Sequence, residues 1–354
     1  MEFISDQERA DELLNKWVTS DCDRAFYLDF EADNYHHYEE VLCTVQVCYS
    51  GKFYLLDAIN LDLTTHFTEL LKTKPLWLHG CDYDLYLLNR FLKMKPVHLR
   101  DTQVAARLCG FRKFGYASLV KQICGVDLPK DSQRADWTKR PLPEKMVKYA
   151  ENDVRYLPQI SDLLEERLEK LGRASWFEES CKALIENSTR SASADQTERW
   201  RFSGTGPLHP RELNYVYELY QWRDLEAKNA DTPPFKVMNN QMLLDSAKKL
   251  AQGEQMKISK GMREKRRNAL LAAIEVAHDK PQEEWPEKAK RVRGSRVRID
   301  EEKLKEMLAK RESVAQQLNI EASCIASRKV LESILKDPEE VTSLLNWQRE
   351  LLEL

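Results

Sequence analysis

Five oxygen-bearing side chains in three short stretches have the types and spacing for metal chemistry. The first stretch is FYLDFEADNYHHYEE, residues 26–40. Its opening is as dense in aromatic and aliphatic residues as a buried strand requires. Strand side chains alternate, so Phe26, Leu28 and Phe30 face one way while Tyr27, Asp29 and Glu31 face the other. Two carboxylates on one face repel each other, and partial burial strengthens the repulsion. In LHGCDYDLYLL a short buried strand precedes a helix, with Asp82 and Asp84 near the helix start. The helix dipole favours an acid there in any case, and spacing does not choose between the two. In YAENDV, Tyr149 and Asp153 are four residues apart on one helical face, with Glu151 and Asn152 pointing elsewhere. His79 reads as a hydrogen-bonded packing residue, and His36 and His37 as surface residues, rather than as ligands.

Each stretch alone has an ordinary explanation: a solvated strand edge, a favoured first turn, a tyrosine packed over a surface acid. Together they place acids on a strand, a helix start and a late helix of one α/β domain, the layout of a site for two divalent cations. Mg²⁺ is a hard ion that takes oxygen ligands and keeps several waters, so a few carboxylates suffice. Bound cations turn the repulsion between Asp29 and Glu31 into shared attraction; without them at least one carboxyl pKa must rise.

The elements that must position these groups alternate in type. AFYLDFEA, VLCTVQVCYS and KFYLLDAI read as consecutive strands, with Ser50-Gly51 as the turn between the second and third. LDLTTHFTELLKT and DYDLYLLNRFLK read as helices, PLWLHG and VHLRD as short strands, and TQVAARLCG and YASLVKQICG as further helices. A hairpin followed by strand–helix alternation predicts a mixed sheet flanked by helices. Residues 142–172 are helical, with a kink or break at Pro158, which cannot donate to the Val154 carbonyl. Residues 188–209 are rich in Ser, Thr and Gly and read as a linker, after which only helices are expected. The two C-terminal parts share a loose helix–turn–short helix pattern, with Trp222-Arg223 in one and Trp347 to Arg349 in the other.

A chain of 354 residues with a net charge of -3 calls for two or three domains and has no overall attraction to nucleic acid, so such binding needs local basic patches. Eight cysteines without a CxxC read as free thiols in a reducing compartment. No signal peptide or membrane-spanning run is present, and a cytoplasmic location is expected.

The order DFE, HGCDYD, YAEND resembles the three exonuclease motifs of the DEDD superfamily, in the subgroup with tyrosine in the third motif. RDTQVAARLCG resembles the strand-to-helix turn after the second motif, and residues 118–157 resemble the ribonuclease D family. Residues 210–280 resemble its helicase-and-RNase-D C-terminal (HRDC) domain, and 301–354 a divergent second copy. The resemblance implies a ribonuclease H-like exonuclease domain at 1–187, a linker at 188–209, an HRDC-type domain at 210–280, a basic linker at 281–300 and a second helical domain at 301–354. It implies metal-dependent 3′–5′ hydrolysis of RNA to nucleoside 5′-monophosphates, with a tRNA precursor as an expected substrate. Asp29, Glu31, Asp84 and Asp153 would hold two divalent cations, Mg²⁺ or Mn²⁺, and Tyr149 would orient the attacking water. The family's usual first motif is Asp-Thr-Glu-Phe; here Phe30 and Ala32 replace the second and fourth residues, which keeps both acids but removes an aromatic near the terminal nucleotide.

For substrate contact, KDSQRADWTKR offers Lys130, Gln133, Arg134, Trp137 and Arg140 for phosphates and base stacking, or alternatively a structural loop whose tryptophan caps the core. KISKGMREKRR (257–267) and KAKRVRGSRVR (288–298) carry six cations each and favour RNA contacts. A deoxyribonuclease of the same superfamily and a catalytically silent RNA-binding scaffold are the competing readings.

Overall fold

A six-stranded sheet carries the first acidic stretch through its middle. The computed structural model of the protein describes residues 1–20, 25–129, 135–188, 198–288 and 299–354. The strands are β1 (Glu2–Ile4), β2 (Phe26–Asp33), β3 (Val41–Tyr49), β4 (Lys52–Leu56), β5 (Leu76–Leu78) and β6 (Leu99–Asp101), in spatial order β1-β4-β3-β2-β5-β6. β3 and β4 form the expected antiparallel hairpin, while β1 joins β4, β5 joins β2 and β6 joins β5 in parallel. The hairpin turn puts Ser50 and Gly51 at φ 51° and 74°, the positive pair that a two-residue turn between twisted strands needs. The sheet is mixed, as expected. Only β1 goes beyond the expected strands, because three residues are too few to display a period.

The alternation along β2 separates two cores. Phe26, Leu28 and Phe30 are buried against α1 (Gln7–Thr19) and α2 (His66–Thr73), whose Leu13, Leu14, Trp17, Phe67 and Leu70 fill one side of the sheet. The opposite side is covered by α4 (Thr102–Leu108), α7 (Leu157–Lys170) and α8 (Ala174–Asn187). Between them come α3 (Asp82–Leu87), α5 (Tyr116–Leu119) and α6 (Glu144–Arg155). The expected break near Pro158 falls at Tyr156, between α6 and α7, because proline suits a helix's first turn and not its interior.

Later helices are α9 (Pro210–Asn229), α10 (Pro234–Val237), α11 (Asn240–Ala251), α12 (Glu264–Asp279), α13 (Glu301–Leu318), α14 (Ala322–Ile325), α15 (Arg328–Lys336) and α16 (Asn346–Leu352). Contacts sort the described residues into two compact units. One contains the sheet, α1–α8 and also α13–α16; the other contains residues 198–288 together with Asp33–Val41. Two boundaries therefore differ from the expected ones. Residues 301–354 do not stand apart: Leu304, Ala315, Leu331, Trp347 and Leu352 are buried in the same core as Trp77, Leu164 and Phe177. Within the expected linker, Trp200 and Leu208 are buried in the core of α9–α12; residues 189–197 lie outside the described residues.

Among the described residues the seven cysteines are free, and no helix is long and apolar enough to cross a membrane.

Candidate metal centre

The face of β2 opposite its apolar residues presents Asp29 and Glu31, both half-buried. Asp153 reaches the same place from α6, and ligand oxygens of Asp29, Glu31 and Asp153 lie within 4.8 Å of one another. Asp84, in the first turn of α3 and only 7% exposed, acts electrostatically on Glu31 and is acted on by Asp29. Asp82 is exposed, so the structure separates the two acids that spacing left equivalent. Glu151 and Asn152, the other polar residues of the third stretch, are buried. Glu151 pairs with Arg155, and the backbone carbonyl of Asn152 accepts from the Tyr116 hydroxyl at 2.7 Å.

Burial is the first cause of the electrostatics. It pushes Asp29 up to about 7, Asp153 to about 9 and Glu31 to about 10, with neighbouring carboxylates adding to the last two. Asp84 is likewise held well above the ordinary carboxylate range by burial and then by Asp29. Among the described residues, the side-chain charges that act on the four acids are carboxylates. Four hard-oxygen donors, Asp84 buried and the other three half-buried, with no compensating cationic side chain among the described residues, fit divalent cations.

Tyr149 stands one helical turn before Asp153. Burial, then the charges of Asp153, Glu31 and Asp29, push its hydroxyl above the ordinary tyrosine value, so it keeps its proton at neutral pH. Tyr116 is also raised, by burial first and then by Asp153 and Asp29, against a lowering hydrogen bond from the Tyr156 amide. A lone tyrosine after Gly115 forms no recognisable pattern in the sequence. Beside the acids lies a cavity of about 370 Å³ lined by Tyr116, Ser118, Leu128, Tyr149, Asn152 and Asp153.

The loop expected to touch substrate takes its structural alternative where it is described. Trp137 is 1% exposed, its ring 6.0 Å from that of Tyr149, so it cannot stack on a base. Arg140 is committed to buried Asp57 through Nε at 2.9 Å, and to the carbonyls of Cys43 and Trp137 at 2.9 and 2.8 Å. Its guanidinium fastens the loop to the sheet instead of meeting phosphate. Lys130, Gln133 and Arg134 lie outside the described residues. His79 bonds Thr102 through Nδ1 at 2.9 Å, and His36 bonds Asp33 at 2.7 Å. His37 bonds Asp231 at 2.7 Å. None of the three is among the acids. Ala32 packs against the first core. Of the basic run at 257–267, Arg266 pairs with Glu226 while Lys257, Lys260, Arg263, Lys265 and Arg267 are exposed. The second run, from 289 onward, lies outside the described residues.

Comparison with known proteins gives the family. Residues 1–169 match the 3'-5' exonuclease family and residues 212–274 the HRDC domain. Ribonuclease D of Pseudomonas paraeruginosa is 32% identical over 321 residues, covering 86% of this chain and 84% of its own length. The solved structure of Escherichia coli RNase D superposes with a TM-score of 0.73 at 23% identity, over 99% of this chain and 96% of that one. A protein from Bifidobacterium adolescentis superposes with a TM-score of 0.77 at 21% identity, over 99% and 95% of the two chains. The chain belongs to the ribonuclease D family and is a 3′–5′ exoribonuclease.

Proposed function

We propose that Asp29, Glu31, Asp84 and Asp153 hold two divalent cations, Mg²⁺ or Mn²⁺. In this reading the chain removes nucleoside 5′-monophosphates one at a time from the free 3′ end of structured RNA, such as a tRNA precursor. The observation that carries the reading is the convergence of Asp29, Glu31 and Asp153, with Asp84 electrostatically coupled to them, from three distant stretches. When bound, the cations lower the pKa of an attacking water and stabilise the oxyanion that leaves. The protein's own groups do the rest. Tyr149 keeps its proton and so orients the water by hydrogen bonding instead of removing its proton. Trp137 backs the Tyr149 ring and limits its movement. The cavity beside Tyr149 and Asp153 is large enough to receive the terminal nucleotide. The exposed cations of 257–267 supply phosphate contacts that carry no sequence preference. The Escherichia coli relative is described as an exoribonuclease involved in structured RNA processing, which supports this substrate class.

The test is digestion of matched RNA and DNA with 3′ overhangs, with Mg²⁺, with Mn²⁺ and with EDTA. RNA should shorten from its 3′ end only when a cation is present. Asp153→Asn should lower cleavage by roughly 10²–10³-fold or more while RNA binding stays close to wild type. Equal loss of binding and cleavage, or digestion that persists in EDTA, would refute the proposal.

A further inference from the structure

We propose that Asp101 is the positioning residue of the acid cluster, fixing the turn from which Asp84 is presented. This rests on the reading of Asp84 as a cation ligand. β5 and β6 lie side by side, with Leu78 opposite Asp101. The chain leaves β5 at Leu78, turns through His79, Gly80 and Cys81, and enters α3, with Asp84 three residues beyond Cys81. Asp101 is 1% exposed. Its Oδ2 accepts from the Cys81 amide at 2.8 Å, and its Oδ1 from the Gly80 amide at 3.2 Å. Oδ1 also accepts from the amides of Gln103 at 2.6 Å and Val104 at 3.2 Å, which caps α4. Thr102 closes the same turn: its hydroxyl donates to the Leu78 carbonyl at 3.0 Å and meets His79 Nδ1 at 2.9 Å.

A helix cap alone requires only a short oxygen-bearing side chain that reaches the first-turn amides. The two extra acceptor contacts serve the other turn, and their geometry is tightly held. Gly80 sits at φ +66°, and a Cβ there would approach Gln103 Nε2 to 3.1 Å. α3 and the helical turn that continues it to Leu92 are too short to be stable alone, so the N-terminal anchor, together with buried Leu85, Leu87 and Leu88, sets where Asp84 points. Groups that orient ligands from behind typically change metal affinity by about 10–100-fold.

Two substitutions separate capping from positioning. Asp101→Asn keeps a capping oxygen but sets an NH₂ group against the Cys81 amide. Asp101→Ser keeps the cap but is too short to reach the turn. Mn²⁺ binding is read by electron paramagnetic resonance, beside thermal melting in EDTA, for wild type, both variants and Asp84→Asn. The expected result is Mn²⁺ affinity about tenfold weaker or more in both Asp101 variants, with a cooperative melt retained. Mn²⁺ affinity within twofold of wild type in both, while Asp84→Asn loses it, overturns the positioning role alone. Wild-type affinity in Asp84→Asn instead refutes the metal-ligand reading beneath it. If Asp101→Asn does not fold, Asp101→Ser decides; loss of the fold in both overturns the proposal in favour of a structural role.

Discussion

On α9, Arg223 donates to the carbonyl of Met238, the residue that follows the short helix α10. On α13, Arg311 donates to the carbonyl of Ala326, the residue that follows the short helix α14. The next helix is capped in each case by a side-chain oxygen, from Asn239 onto Met242 and from Ser327 onto Val330. The two helical modules thus share one local plan, but they bury different faces. The first closes a core of its own around Leu213, Val216, Trp222, Leu243 and Leu270. The second contributes its apolar residues to the core beneath the sheet. There Trp347 stacks on Trp176 of α8 with centroids 5.0 Å apart, and Glu179 accepts from the Asn346 amide at 2.7 Å to cap α16. Buried Arg173 donates to the carbonyls of Leu108 at 2.6 Å and Leu318 at 2.7 Å, joining α4 to α13. A shared backbone plan therefore does not settle whether a repeat is an independent domain. What settles it is which neighbour its apolar face meets.

Truncation should break this comparison most severely. A chain ending before residue 301 would remove Leu304, Ala315, Leu331, Trp347 and Leu352 from the core they share with Leu164, Leu168 and Phe177, and would uncover Trp176. The sheet-containing part should lose its cooperative melt, whereas a fragment spanning 198–288 should retain one by circular dichroism. Independent folding of both pieces would show that the distinction drawn between the modules is wrong.

Next in size is the response to pH and cations, which should separate the two units. In the folded protein Asp29, Asp153 and Glu31 hold their protons up to about 7, 9 and 10, whereas in the unfolded chain they release them near 4. Between those values the folded state binds more protons, so stability falls as pH rises. In EDTA the melt of the sheet-containing unit should drop by several degrees from pH 5.5 to 8.5, and added Mn²⁺ should reverse the trend. The melt of 198–288 should not follow it. A flat profile in EDTA would mean that the acids are not buried together.

Trp347→Ala removes a large ring from the core shared with Trp176 and Phe177, and should cost roughly 3–5 kcal/mol in the transition that reports the nuclease fold. Arg173→Ala and Arg223→Ala should each cost roughly 2 kcal/mol, since each strands buried acceptors. They should act on different transitions, the first on the sheet-containing unit and the second on 198–288. Chemical denaturation followed by tryptophan fluorescence, checked on the 198–288 fragment, distinguishes them.

Much of the site could be read from the sequence because its carriers are local. Alternation along β2 puts Asp29 beside Glu31, and helical spacing puts Tyr149 beside Asp153. Neither rule depends on the rest of the molecule. The mixed sheet, the Ser50-Gly51 turn and the break at Tyr156 follow from equally short-range preferences. Other features depend on contacts between residues far apart in the chain, and sequence spacing does not encode them. Asp84 differs from Asp82 only because one side of α3 faces the sheet. Its sequence context suits Arg140 to a phosphate contact, yet its partner, Asp57, stands 83 residues away. Pairing Trp222-Arg223 with Trp347–Arg349 matched similar letters on helices that are not counterparts, since the counterpart of Arg223 is Arg311. Which oxygens converge, and which apolar face is shared, were decided by tertiary packing. Burial and cross-chain hydrogen bonds exist only once distant segments meet.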